Sequence, residues 1–577
     1  MAGSYWDKIT AQRVSRRRVL QSAGVAGVAA GAVAIVGCSS SSGGGKTPGA
    51  TTAPKTSPTP STKGPEILNP LSPPKAGGRY QTYGTANFDT FDPHLGIAGS
   101  TAYFPRVYNV LVNQSAQKPD FFVFDLAESY ENPDELTWTF KIRPGVKIGP
   151  NDLGVPERDL TGEDVVATFD RIKNEPKANN GAFVKEFVAS VTATGNTVTI
   201  KTTSPYAWFL NRVGNFVNAI PPKELLADAT NVEKMRNKSA GGGPFRVVSA
   251  TEGEGAKIDK NPSYYRKDAD NANAALPYFD GFDVRLIQDR VGQRTAFNGG
   301  QLDQYSAETK AEADELAKNT QYFISKDPTN SFISVTMHPE KDPFTDNRAR
   351  RAVALAINRK QYVDIVYQGD AKANGLVHWS AGEGTYAFTE DELKTEQPFD
   401  LAEAKKLVSA MSGLKVKLMM PANYPGAQHD KHLPIFLNQM AAADIQIEQD
   451  PQDFTTWLGN YRTLNYVLCL SLNVVYETPE TPLNFHTAKG PQGDRAYAVG
   501  LNDPAIEEAV LKTKTTLEFE ALKKAVRDAQ KVIYSKDPAF FPLVTPYGYT
   551  AYSKKVHNVP GGIGLTGLLL STPWIEA

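Results

Sequence analysis

The chain has 577 residues, 41% hydrophobic and 22% charged, enough for roughly three or four domain-sized units and a large core. A formal net charge of −1 carries no basic footprint, which excludes nucleic acid as an expected partner. With two cysteines, Cys38 and Cys469, the fold is expected to rest on its core and not on crosslinks.

The N-terminus reads as an export signal in three parts. Lys8, Arg13, Arg16, Arg17 and Arg18 against Asp7 make a basic start, and removing residues 1–37 leaves a mildly acidic body. Ser15 to Gln21 resembles a twin-arginine signal with Arg16 and Arg17 as the pair. The apolar run Ala23–Val36 covers only ~21 Å as a helix, short of the ~30 Å of a bilayer core, so it is a signal segment and not a stable span. Ile35-Val36-Gly37-Cys38 then looks like a lipobox, with cleavage before Cys38 and a diacylglycerol on its sulfur. Residues 38–75 follow as a Ser/Gly/Thr/Pro linker that cannot bury apolar surface.

The body opens on strand signals. Thr137 to Arg143 and Asn196 to Lys201 alternate apolar and polar residues with period two. Thr161 and Asp164 form a capping box for a helix whose Val165, Val166, Phe169 and Ile172 share a face. Asp346 caps a helix with an apolar stripe of Ala349, Val353, Ala356 and Ile357, which leaves Arg348, Arg350, Arg351 and Arg359 off that stripe. Tyr466 to Leu470 is an apolar strand that buries Cys469 as a free thiol. Asp503-Pro504 starts one more helix, and Leu522 to Ile533 forms a longer amphipathic one that Pro538 ends. Strands mixed with helices and no strict repeat predict an α/β body.

Eight short segments recur in the order of one known family. They include Phe91-Asp92-Pro93-His94, Asp125 to Tyr130, Trp138 to Val146 (WTFKIRPGV), Leu160 to Val166 and Gly242-Gly243-Pro244-Phe245. Lys260 to Tyr265, Asn298 to Asp303 and Pro343 to Ala352 complete the set. In this the body resembles the family 5 extracellular solute-binding proteins, the oligopeptide-, dipeptide- and nickel-binding receptors of ABC importers. The resemblance implies a two-lobed, periplasmic-binding-protein-like clamp of type II. Its first lobe would take residues 76–327 and 543–577, with 111–239 as an inserted subdomain, and its second lobe 328–542. It also implies a non-enzymatic, monomeric receptor without a cofactor, anchored outside the cytoplasm, that takes a peptide or other small solute between its lobes and hands it to a permease. A sensor without transport and an exported hydrolase are the alternatives, the latter without any Gly-x-Ser-x-Gly or His-Glu-x-x-His motif in its favour.

The resemblance carries few site residues. Ser100, Thr101 and Tyr103 follow the Asp92-Pro93 segment that faces the cleft in the family, and Trp379 matches an aromatic that lines it. Peptide receptors often place an aspartate for the ligand's ammonium within a "GW…D…DPD" stretch. Here Leu470 to Glu480 holds no aspartate, and Glu477 is the candidate substitute. His429 and His432 stand three apart, but no further ligands join them, and no metal is expected.

Overall fold

The computed structural model describes residues 67–96, 98–115, 118–227, 229–329, 331–379, 384–422, 429–474, 478–488, 490, 502–536, 538–561 and 572–576. Arg16, Arg17, Cys38, the linker up to residue 66 and Glu477 lie outside the described residues. Among those described, no helix is long and apolar enough to cross a membrane.

Strand β1 (Arg79–Gly84) begins the body, and the chain then builds a separate four-stranded sheet. Its strands are β2 (Ala127–Asp134), β3 (Thr137–Ile142), β4 (Val188–Thr194) and β5 (Thr197–Thr202), in the order β2-β3-β5-β4. The predicted alternation in β3 turns Trp138, Phe140 and Ile142 inward. Helix α1 (Gly162–Asn174) packs on this sheet, and its capping box closes as expected: Asp164 accepts the Thr161 N–H at 2.8 Å. Asp164 also takes Arg158 at 2.6 Å and the Lys223 N–H at 2.9 Å. Burial alone would raise its carboxyl, yet these donors hold it below the usual range.

Strands β6 (Phe245–Thr251), β7 (Gly255–Lys260) and β8 (Gly281–Leu286) then return to β1, in the order β1-β8-β7-β6 with β1 and β8 parallel. Tyr80, Phe91, Phe104, Phe245, Ile258 and Phe282 form the core behind this sheet. Most of the family-like segments prove to be joints of this region. Asn261 donates to the Gly243 carbonyl at 2.9 Å, and a Cβ on Gly243 would lie 2.5 Å from the Val107 carbonyl carbon, so no side chain fits. Asp125, buried, accepts from Asn109, the Val110 N–H and Tyr265 at 2.9–3.0 Å. Asp92, fully buried, receives two N–H groups of Arg171 from α1 at 2.6 and 3.1 Å.

Helix α2 (Arg290–Asn298) and strands β9 (Gln304–Ala307) and β10 (Tyr322–Pro328) lead into a second large sheet. It contains β11 (Ser331–Met337), β12 (Ala371–Ala373), β13 (Leu414–Pro421), β14 (Ile445–Gln452) and β15 (Leu468–Val474), with helices α3 (Asn347–Ala356) and α4 (His429–Ala442) between them. The 14-residue strand β16 (Phe540–Ser553) joins everything. Its first part pairs with β11 and, through Pro546, with β12. From Tyr547 onward it pairs with β10 and β9. The order is β9-β16-β11-β15-β13-β14, with β10 and β12 also on β16.

Two arginines off the apolar stripe, Arg350 in α3 and Arg359 just after it, are nevertheless buried: Arg350 donates to the Phe344 carbonyl, and Arg359 reaches the Pro542 carbonyl at 3.2 Å and Gln397 Oε1 at 3.1 Å. Neighbouring loops cover the helix on the side that its own periodicity leaves polar. Cys469 is buried in β15, as expected, and burial pushes its thiol well up.

The segment after β5 also touches helical parts of the chain far along the sequence. Trp208 Nε1 donates to the Thr513 carbonyl at 2.7 Å and the Ala207 N–H to that of Lys514 at 2.7 Å. Tyr206 and Arg212 both converge on the buried Glu480, at 2.9 and 3.2 Å.

Candidate functional site

A cleft of about 1530 Å³ lies where β1, α2 and β9 face the start of β11. One wall is the end of β1 with Tyr83 and Phe88, then Ala102 and Tyr103, and the stretch from Gln288 through β9 to Lys310. The opposite wall is the start of β11, the turn Val366–Gln368, Asp370 and Lys431. Between them run the stretch from β10 to β11, Asp327–Thr329, and the part of β16 at Pro546–Thr550 with Tyr552. Known ligand pockets run to about 1,000 Å³, so this one accommodates a long or branched solute.

The lining is aromatic and electrically balanced. Tyr83, Phe88, Tyr103, Tyr367, Tyr547 and Tyr549 offer ring faces, while Arg290, Lys310 and Lys431 match Glu308, Asp327 and Asp370 in number. Much of that charge is already engaged. Asp370 accepts from Lys326 at 2.6 Å and from the Tyr549 hydroxyl; burial pushes its carboxyl up, but these donors keep it below the usual range. Arg290 donates to the Ser306 carbonyl at 2.9 Å, to Tyr305 at 2.8 Å and to Glu312 at 3.1 Å. Gln304 is fixed between Thr82, 2.8 Å from its Nε2, and Tyr80, 2.9 Å from its Oε1. Lys326 sits 4.5 Å over the Tyr547 ring, and His432 Nε2 lies 3.0 Å from the Tyr367 hydroxyl. Among the described residues no group of three or more His, Cys, Asp or Glu gathers to hold a metal.

Of the residues singled out from the sequence, Tyr103 lines the cleft and meets Phe88 edge-on at 5.5 Å. Thr101 is exposed beside it. Ser100 is fully buried, and its hydroxyl accepts the Asp89 N–H at 3.2 Å, so it braces the loop from within. Trp379 is half-buried, stacked on His378 and 6.3 Å from the cleft-lining Tyr547, with Lys372 4.9 Å over its ring. In the stretch searched for an acidic group, Glu480 is the buried carboxylate that the structure describes, and it is spent on Arg212. Sequence reasoning missed Asp370 and the tyrosines of β16. The run Tyr547-Gly548-Tyr549-Thr550-Ala551-Tyr552 was a signal, since aromatics recurring at short intervals in a strand crowd one surface.

Residues 122–496 match the model for bacterial extracellular solute-binding proteins, family 5 Middle. The chain belongs to the family 5 solute-binding proteins. It is therefore a binding protein and not an enzyme, with the two-lobed fold of that family. The glutathione-binding protein GsiB of Salmonella typhi is 23% identical over 506 residues, 82% of this chain and 90% of that one. The periplasmic binding protein DppA of Helicobacter pylori, in complex with the peptide STSA, has a TM-score of 0.70 at 19% identity and covers 87% of this chain and 99% of its own. The oligopeptide-binding protein AppA of Bacillus subtilis, in complex with a nonapeptide, has a TM-score of 0.70 at 17% identity over 88% and 100%.

Proposed function

We propose that this solute-binding protein captures a peptide in the cleft and delivers it to the permease of an ABC importer, working as a monomer held to the membrane by lipid on Cys38. The carrying observation is the position of the cleft: β1 and β9 stand on one side, the start of β11 on the other, and the stretch from β10 to β11 and strand β16 cross it. A solute there contacts both lobes only when they close, so its binding energy favours the closed form that a permease can select. The reading takes 76–327 and 543–577 as the first lobe, 111–239 as its inserted subdomain and 328–542 as the second lobe. The change of partners along β16 supports a return crossing within that strand. Tyr103, Thr101 and Trp379 are the proposed solute contacts, with Ser100 shaping their loop. Glu477 keeps its proposed role as a partner for a ligand ammonium. Peptide as cargo is supported by the relatives, two of which hold peptides in their solved structures.

Thermal-shift screening of the body with pools of peptides, sugars and metal chelates tests the cargo. A ligand present at 100 times its dissociation constant adds about 2.7 kcal/mol to stability, so peptide pools should raise the melting temperature by several degrees. A shift with sugars or chelates and none with peptides would overturn the peptide reading. The anchor has its own check. Cys38→Ser should move the protein from the membrane pellet to the soluble extracytoplasmic fraction, and an unchanged pellet association would rule the lipid out.

A further inference from the structure

The geometry points to Arg106 as an anion anchor behind the first-lobe wall of the cleft, so that the solute carries a carboxylate or an equivalent oxyanion. This rests on the cleft being the solute site. Arg106 belongs to the short helix Phe104–Val107, which directly follows the cleft-lining Ala102 and Tyr103. Its guanidinium stacks 4.9 Å from the Tyr103 ring and 5.4 Å from that of Phe282. One N–H group bonds to the Ala102 carbonyl, whereas Nε is buried with no acceptor.

Among the described residues Arg106 has neither a carboxylate nor a second carbonyl for its guanidinium. Arg171, Arg158 and Arg212 each reach a carboxylate within 3.2 Å, and the buried Arg359 has the Pro542 carbonyl and both oxygens of Gln397. Arg106 forms no ion pair among the described residues. The groups that face it are the hydroxyl-bearing rings of Tyr80, Tyr103 and Tyr552. Burial raises all three phenols, Tyr552 to about 12, so they stay neutral and cannot balance the cation. Cation–π stacking returns only about 1 kcal/mol to this half-buried charge. Tyr103 and Tyr552 both line the cleft. An oxyanion entering between them meets a planar donor with N–H groups to spare, and a carboxylate matches that fork.

The test uses the full body, its Arg106→Gln and Arg106→Lys variants, and two kinds of probe. Pools of tetrapeptides with free C-terminal carboxylates are compared with the same pools amidated, and succinate is compared with chloride at equal ionic strength. Wild type should bind the free-acid pool on the order of ten- to a hundredfold more tightly than the amidated one. Arg106→Gln should abolish the difference, and Arg106→Lys should keep part of it. Succinate should raise the melting temperature of wild type and not that of Arg106→Gln. If neither peptide pool binds while succinate still discriminates, the peptide reading fails and the anchor stands. Equal binding of the two pools by wild type, a preference that survives in Arg106→Gln, or succinate stabilising both alike would overturn the anchor. A large drop in the ligand-free stability of Arg106→Gln would overturn it too, because the arginine would then serve the fold.

Discussion

Arg171→Ala should lower the unfolding free energy by about 3–5 kcal/mol, read as a shift of the urea midpoint at pH 7. Arg171 lies in α1, which packs on the separate four-stranded sheet, and it reaches out to Asp92 in the loop after β1. Asp92 is wholly inside, and without the guanidinium it would keep only the His94 N–H at 2.9 Å as donor to its carboxylate. An ionised carboxylate left with one partner in such a place carries most of its desolvation penalty. The same guanidinium lies 2.7 Å from His94 Nδ1, and since arginine only donates, Nδ1 accepts and Nε2–H is left for the Ala219 carbonyl at 3.0 Å. Arg171→Lys should recover only part of the loss, because an ammonium cannot supply two parallel donors. A loss below about 1 kcal/mol for the alanine variant would mean that Asp92 is solvated or protonated in the native state.

Stability should fall steeply on the acid side, through two histidines. Burial lowers His94 to about 4, with Arg171 adding to the effect and Asp92 opposing it. Burial also lowers His378, to about 3. Both folded values lie below the unfolded one near 6.5. The native state therefore binds fewer protons than the unfolded chain in this range. The stabilisation is complete above about pH 6.5 and drains away as the pH falls toward 4 for His94 and 3 for His378. At pH 5 each accounts for about 2 kcal/mol, so about 4 kcal/mol in all should vanish between pH 7.5 and 5. Asp125 and Asp303, both raised by burial, work in the opposite direction. The histidine share is accordingly read from a comparison: His378→Asn should show about 2 kcal/mol less acid loss than wild type over that interval. His378 stands 2.7 Å from Thr545 Oγ, to which Asn374 also donates at 2.7 Å, and an asparagine side chain keeps a polar partner there. Equal acid loss in variant and wild type would show that His378 titrates normally.

Local signals were legible where one segment decides its own structure. The period-two run of β3, the Thr161–Asp164 box and the Asp503 cap all fold as their residues dictate, and Asp503 accepts from the Ala505 N–H at 2.8 Å. Family-like segments were legible as a set, though their work is mostly internal: Asp92, Asp125 and Asn261 bind other parts of the chain. What distant segments decide together was not legible. The burial of Arg350 and Arg359 gives no local sign, because Arg359 is covered by Pro542 far along the sequence and Arg350 turns back onto Phe344. Pro542 and Pro546 look like strand breakers, yet β16 runs through both, with Pro542 opposite Ser334 and Pro546 opposite Ala371. The cleft itself gathers Tyr83, Tyr103, Tyr367 and Tyr549 from four separate places, and nothing local to any of them announces that meeting.

Strand β16 also has a bearing on how the molecule comes into being. It is the shared partner of β9, β10, β11 and β12, and it lies at 540–553 of 577 residues. During synthesis β9, β10, β11 and β12 therefore wait, with open edges, for a strand translated long after them. Pairings over such sequence separations are slow to find. Ribosome-bound fragments ending short of residue 540 lack the piece that pairs with all four.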